Sequence, residues 1–348
     1  MSKQQTKELH KSVAPYAKCD TKKSVWQLIN TIPPFFILWY IAYEAYQLSF
    51  WLMIPVAVVA AGFVVRTFII FHDCTHGSFF KSKKATDIVG TLTGIMTLFP
   101  YEQWKREHSI HHATSSNLDK RGTGDIWVMT IEEYAAANKW TRLGYRLYRN
   151  PIVMFGFGPL YLILVSNRFN RKGVRPKEFW NTHLTNAAIV LIYGLMMMWI
   201  GVVPFLAIQG TIMFIAAGAG IWLFFIQHTF EDSYFEEQGE WNYVKAAIDG
   251  SSYYELPKVL QFMTGNIGFH HVHHLAPRVP NYHLEDAHEN IEPLQQATKI
   301  TIGSSLRSLK YKLYDNDKKA FITFKEMRER LERGEFNALK ERGRVSAS

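Results

Sequence analysis

The sequence predicts an all-α, polytopic membrane protein with four transmembrane helices in two hairpins and a cytoplasmic helical cap carrying clustered histidines. Three observations lead there. Residues 31–65 contain no Lys or Arg. Residues 178–244 contain none either. Of the 39 basic residues, 38 fall in the segments 1–30, 72–177 and 245–348, with Arg66 left near the end of a span. Bulk composition is indifferent: a mean hydropathy of -0.09 with 48% hydrophobic residues also suits a soluble enzyme. The signal lies in how the apolar residues are distributed.

A span needs about 20 apolar residues. The polar, basic stretch 1–27 precedes the first apolar run and lacks the form of a secretory signal, so it is assigned to the cytoplasm. Residues 28–71 form the first hairpin, with spans at 28–46 and 50–71, a break at 44–49, and Pro33, Pro34 and Pro55 near the span ends. Residues 72–183 return to the cytoplasm. Within them two shorter apolar runs, 88–100 and 151–165, read as in-plane or re-entrant segments. Residues 184–226 form the second hairpin, with spans at 184–200 and 203–226, and residues 227–348 form a cytoplasmic cap and tail.

The positive-inside rule places the three basic segments on one side, and each hairpin supplies the even number of crossings this requires. Both termini are then cytoplasmic. Trp26, Trp39, Trp51, Trp180 and Trp199 fall near the two interfaces, where aromatic belts are expected. Buried core helices of a soluble domain would not explain two such long stretches free of Lys and Arg. The whole chain, 1–348, reads as one membrane domain. Cys19 and Cys74 sit in unrelated contexts and imply no disulfide framework. Asp315, Asp317, Ile322 and Glu326 match calcium-loop positions, but Lys319 and Ala320 stand where an oxygen ligand and a glycine are needed, so the match is fortuitous. Residues 325–344 read as a basic, solvated helix.

The chain has 14 histidines, and most are clustered. His72 and His76 form an HxxxH pattern; His108, His111 and His112 form HxxHH; His270, His273 and His274 form a second HxxHH. Positions i, i+3 and i+4 of a helix share one face, about 5–6 Å apart, so two or three imidazoles can converge on a metal from one turn. His10, His183, His283 and His288 are isolated and read as ordinary core or surface residues. All three clusters lie in segments placed in the cytoplasm on Lys and Arg alone. His72 follows the second span and His228 follows the fourth, so the symmetry of the hairpins makes His228 a further candidate. These nine imidazoles exceed what one ion can use. Two first-row ions with four or five nitrogen ligands each can use them, and imidazole alone does not choose among iron, copper, nickel and zinc. Two zinc sites would leave ligands over.

These clusters, in this order and at the ends of two hairpins, resemble the integral-membrane fatty acid desaturase family. The flanks FHDCTHGSFF, HSIHHATSSNLDKRGTGDIW, QHTFEDSYF and GNIGFHHVHHLAPRVPNYHL are most similar to the acyl-lipid desaturases of bacilli, the Δ5 type acting on membrane phospholipid. The resemblance implies two iron ions held by His72, His76, His108, His111, His112, His228, His270, His273 and His274, with dioxygen as co-substrate. It makes His271 the extra histidine of its cluster, a supporting or surface residue. Animal acyl-CoA desaturases carry an asparagine one turn before their isolated histidine, where this chain has Phe224. One coordination position is thereby left unassigned.

Abstraction of hydrogen from an unactivated methylene exceeds what side chains can do, so the oxidising power must come from metal and dioxygen. Ligating histidines usually donate their second N–H to an acceptor. Asp73, Asp125, Glu231 and Asp232 lie beside the boxes and are candidates for that support. The sequence carries no nucleotide-binding, iron–sulfur or haem signature, so electrons come from a separate donor. A net charge of +9 suits an acidic ferredoxin or flavodoxin, and equally an anionic lipid surface. No nucleic-acid partner is expected. A hydroxylase or ketolase of the same metal class would share the boxes. A metal transporter would need ionisable ligands along its spans, and these spans are nearly free of them. A membrane haem protein would pair its histidines in mid-bilayer.

Overall fold

The computed structural model describes residues 3–333. Its helices are α1 (Lys3–Val13), α2 (Thr21–Ile29), α3 (Ile32–Leu48), α4 (Phe50–His76), α5 (Lys83–Thr97), α6 (Tyr101–Thr114), α7 (Ile131–Ala136), α8 (Lys139–Tyr148) and α9 (Gly158–Leu164). They continue with α10 (Pro176–Ile200), α11 (Val202–His228), α12 (Tyr243–Ile248), α13 (Lys258–Met263), α14 (His270–Leu275), α15 (Leu284–Asn290), α16 (Ile302–Ser305) and α17 (Phe324–Glu332). Five short strands add to this: β1 (Met129–Thr130), β2 (Tyr253–Glu255), β3 (Lys299–Thr301), β4 (Leu313–Asp315) and β5 (Ala320–Ile322). They form a β1-β4-β5 sheet, which joins the 72–183 segment to the cap, and a β2-β3 pair within the cap. The expected all-α class therefore holds apart from these clips between distant segments.

Four helical stretches are long and apolar enough to cross a membrane: Thr21–Leu48, Phe50–His76, Pro176–Ile200 and Val202–His228. The first is broken at residues 30–31, and α3 starts there because Pro33 and Pro34, which have no N–H to donate, fit only its first turn. α4 and α11 each run 27 residues, roughly 40 Å at 1.5 Å per residue. That exceeds the hydrocarbon core of about 30 Å, so each helix is long enough to carry its last turns, where its histidines lie, beyond an apolar slab. Gly77 ends α4 in the left-handed region at φ 67°, directly after His76.

α4 is the central helix, packed against α3, α5 and α11. Its histidine-bearing end is buried almost continuously from Val64 to Thr75. α10 faces outward instead, with Val190, Leu191, Met198 and Trp199 exposed, as a lipid-facing helix should be. Arg66, within α4, is buried and satisfied by neutral groups. Its Nε donates to Thr31 Oγ1 at 3.0 Å, Nη1 donates to the Phe262 carbonyl, and the guanidinium lies 3.9 Å from the Phe262 ring centre.

The two short apolar runs become different things. Residues 88–100 contribute to α5, which lies on α4. Residues 151–165 form a π-helical turn (Val153–Phe157) followed by α9, and this stretch bends by 67° from α8. Asp315 has a structural use: its Oδ1 accepts the Asp317 and Lys318 N–H groups at 3.0 and 3.2 Å, and its other oxygen pairs with Arg330. α17 covers the start of the basic segment 325–344, whose remainder lies outside the described residues.

Candidate metal centre

Four helices bring the clustered histidines together. α4 contributes His72 and His76 one turn apart, and α6 contributes His108, His111 and His112. α11 contributes His228 as its last residue, and the short α14 contributes His270, His273 and His274. All but His76 are buried, and His76 is nearly so.

The nine imidazoles sort into two groups. His72, His76, His108, His112 and His273 form one; His111, His228, His270 and His274 form the other, and within each the ligating atoms lie within 4.8 Å of one another. The partition cuts across the sequence boxes. His111 leaves its neighbours His108 and His112, and His273 leaves His270 and His274, because residues three and four apart splay to either side of one helical face. Facing Nε2 atoms stand 2.9 Å apart for His72 and His108, 3.0 Å for His108 and His112, and 3.0 Å for His112 and His273. In the second group His228 and His270 stand 3.0 Å apart, and His270 and His274 3.1 Å. Two nitrogens each about 2.1 Å from a shared ion stand roughly 3 Å apart across a right angle and about 3.4 Å apart at the tetrahedral angle. The group of five exceeds the four ligands of tetrahedral zinc, and the close pairs in both groups match nitrogens set across a right angle.

Burial holds the imidazoles of His108, His112, His270, His273 and His274 well below their ordinary pKa, and neighbouring histidines add to the effect. Neutral imidazole is the form that ligates metal. In the second group, His111 Nδ1 donates to Asp125 Oδ1 at 2.6 Å and His228 Nδ1 to the Gly250 carbonyl at 3.3 Å, turning each Nε2 inward. Asp125 reaches His111 because Gly124, at φ 73°, presses its loop onto α6. A Cβ there would sit 3.1 Å from His111 Cβ and 3.2 Å from the Glu107 carbonyl.

Of the other candidate supports, Asp73 is buried 3.6 Å from His72 Nδ1 and accepts the backbone and side-chain N–H groups of Asn281, both at 2.8 Å. Glu231 and Asp232 are exposed. Glu231 accepts the Tyr311 hydroxyl at 2.8 Å, and its carbonyl accepts the Phe321 N–H, so it ties the C-terminal hairpin down rather than orienting a histidine. His271 belongs to neither group. It is fully buried, its Nε2 faces His288 Nδ1 at 3.0 Å, and burial pushes its pKa down to about 3.

Three residues at the site carried no metal signal in the sequence. Trp104 stacks on His108, ring centres 4.1 Å apart. Its place one helical turn before His108 was the available clue. Phe224 lies 5.2 Å from the rings of both His111 and His228, so an aromatic face, not an amide, stands one turn before His228. Asn281 joins Asp73 to Gln27 of α2, a contact spanning over two hundred residues that no local pattern announces.

A family model described as "Fatty acid desaturase" matches residues 49–305. The chain is 57% identical to the fatty acid desaturase of Bacillus subtilis over 319 residues, covering 92% of this chain and 91% of that one. It is 24% identical to the sn-1 oleoyl-lipid 12-desaturase of Anabaena variabilis over 72% of each chain. It is 26% identical to the sn-1 acyl-lipid omega-3 desaturase (ferredoxin) of a Nostoc species, over 72% of this chain and 70% of that one.

Proposed function

The chain belongs to the fatty acid desaturase family, and we propose that it inserts a cis double bond into acyl chains of membrane phospholipid by means of two iron ions held by its nine clustered histidines. It is a membrane protein and an oxidoreductase, a fatty acid desaturase of the acyl-lipid type. The observation carrying the rest is the sorting of the histidines into a group of five and a group of four.

When bound, two iron ions supply the one-electron chemistry that side chains lack: with dioxygen, two external electrons and two protons, two hydrogens leave adjacent methylenes and two waters form. His72, His76, His108, His112 and His273 hold one ion; His111, His228, His270 and His274 hold the other. Asp125 and the Gly250 carbonyl fix the tautomer and aim of His111 and His228. Trp104 and Phe224 wall the imidazoles with hydrocarbon rings and keep water from the reacting chain. Because α4 and α11 carry their histidines just past the apolar slab, a chain drawn from the adjoining leaflet reaches the site from the membrane.

The histidines and both termini face the cytoplasm, on the distribution of Lys and Arg. Electrons come from an acidic ferredoxin or flavodoxin; the net charge of +9 favours such a partner, and the relative from Nostoc carries ferredoxin in its name. The position of the new double bond is Δ5, on the resemblance to bacillus enzymes. Expression in a host that makes only saturated lipids, with a ferredoxin supplied, tests the reading by mass spectrometry of the lipid pools. Δ5 unsaturation appearing first in phospholipid is expected. Unsaturation appearing first in acyl thioesters, or a hydroxyl in place of the double bond, contradicts it.

A further inference from the structure

A small, partly open cavity lies against the four-histidine group, on the side where Asp125 supports His111. Its volume is about 20 Å³, and its walls include His111, His228, Asp125, Ser116 and Thr229. That is room for one water molecule, which occupies a cavity of at least about 10–15 Å³ measured this way and requires two to four polar partners.

The partners are present. Asp125 Oδ2, Ser116 Oγ and Thr229 Oγ1 are each shielded from solvent and make no hydrogen bond to protein. An unpaired buried oxygen is costly, and three of them belong to residues lining this one cavity, which marks an internal polar ligand. The backbone adds an independent sign. Ser116 is held in the left-handed region at φ 61°, which strains a non-glycine residue. It is kept there by the strand-like exchange in which Glu236 N–H donates to the Ser116 carbonyl at 3.0 Å and Leu118 N–H to the Glu236 carbonyl at 2.9 Å. Gly250 abuts it, where a Cβ would come within 2.3 Å of Ser116 Oγ, and the same Gly250 offers its carbonyl to His228.

We propose that this cavity binds one structural water, held by Asp125 Oδ2 and the hydroxyls of Ser116 and Thr229, which locks the supports of His111 and His228 into one network. Asp125 orients His111 on α6, and Thr229 directly follows His228 at the end of α11. The water therefore fixes two ligands from different helices relative to each other. Ser116 and Thr229 are positioning residues for the metal held by the group of four. This rests on the two-ion reading above, whereas the water itself does not require metal.

Two measurements test it on the full-length protein in detergent. A structure resolving ordered solvent should show one water bonded to those three oxygens; a dry cavity would overturn the proposal whether or not iron binds. The second is release of iron to a chelator, followed as two phases. Ser116→Gly removes the hydroxyl and relieves the φ strain, and Thr229→Val removes a hydroxyl at constant shape. Each should speed one phase about 10-fold, the lower end of the effect of losing an outer-sphere partner, and leave the other unchanged. Thr229→Ser should release both ions at the wild-type rate, and the thermal stability of Ser116→Gly should not fall. Both ions leaving at the wild-type rate in Ser116→Gly and Thr229→Val would overturn the role, as would equal acceleration of both phases together with lost thermal stability. Wild-type protein that binds fewer than two ions would defeat the two-ion reading, leaving the solvent density as the test of the water.

Discussion

His271 and His273 are two residues apart on the same short helix, and their alanine variants should behave oppositely. The imidazole of His271 is fully buried against His288, outside both ligand groups. Its removal opens a void in the interior, at roughly 2–5 kcal/mol. His271→Ala should therefore melt earlier, yet the folded fraction should keep two irons and its desaturation rate. His273 is equally buried, so its alanine variant also loses packing, but it removes one of the five nitrogens proposed to hold the first ion. His273→Ala should bind one iron fewer and make no double bond, however well it folds. The assay is iron per folded chain beside product per folded chain in detergent-purified protein. If His271→Ala lost iron while His273→Ala kept both ions and activity, the register of α14 would be wrong.

Other expectations follow from the same geometry. Asp125→Asn exchanges a charged acceptor 2.6 Å from His111 for an amide, and iron affinity at the group of four should fall 10–100-fold, measured by competition with a chelator. Acid should strip the metal. The buried imidazoles of His108, His112, His270, His273 and His274 are held below the ordinary value, so below about pH 6.5 the unfolded chain binds more protons than the folded one. Stability and iron retention are then full above that pH and decline as it falls; iron retained undiminished down to pH 4 would contradict this. For topology, a cysteine replacing Leu48, exposed at the first hairpin tip, should react with an impermeant reagent added outside cells, and one replacing exposed Lys120 should not.

The spans were legible because the bilayer imposes a single rule on long segments: no charge for about 20 residues. Their ends were less so. α4 continues to His76 and α11 to His228, since a helix does not stop where hydropathy does. Eight of the nine histidines were legible from i, i+3 and i+4 spacing, and His228 from its place after the fourth span, matching His72 after the second. Their division was not, because which face of α6 meets which face of α14 depends on how the helices cross. Local spacing proposed four acidic supports, and packing gave them unequal roles: Asp125 bonds His111, Asp73 is held by Asn281 beside His72, and Glu231 and Asp232 point elsewhere. The short strands escaped notice because two- and three-residue pairings such as β1 with β4 join segments far apart in the chain.

The most direct test of the central claim is the iron content of three purified proteins: wild type, His108→Ala from the group of five, and His270→Ala from the group of four. Two non-haem irons per chain are expected in the wild type and one in each variant, with Mössbauer spectra that lose a different component in each case. One iron in the wild type, zinc in its place, or the same component lost from both variants would contradict a centre built from five histidines and four.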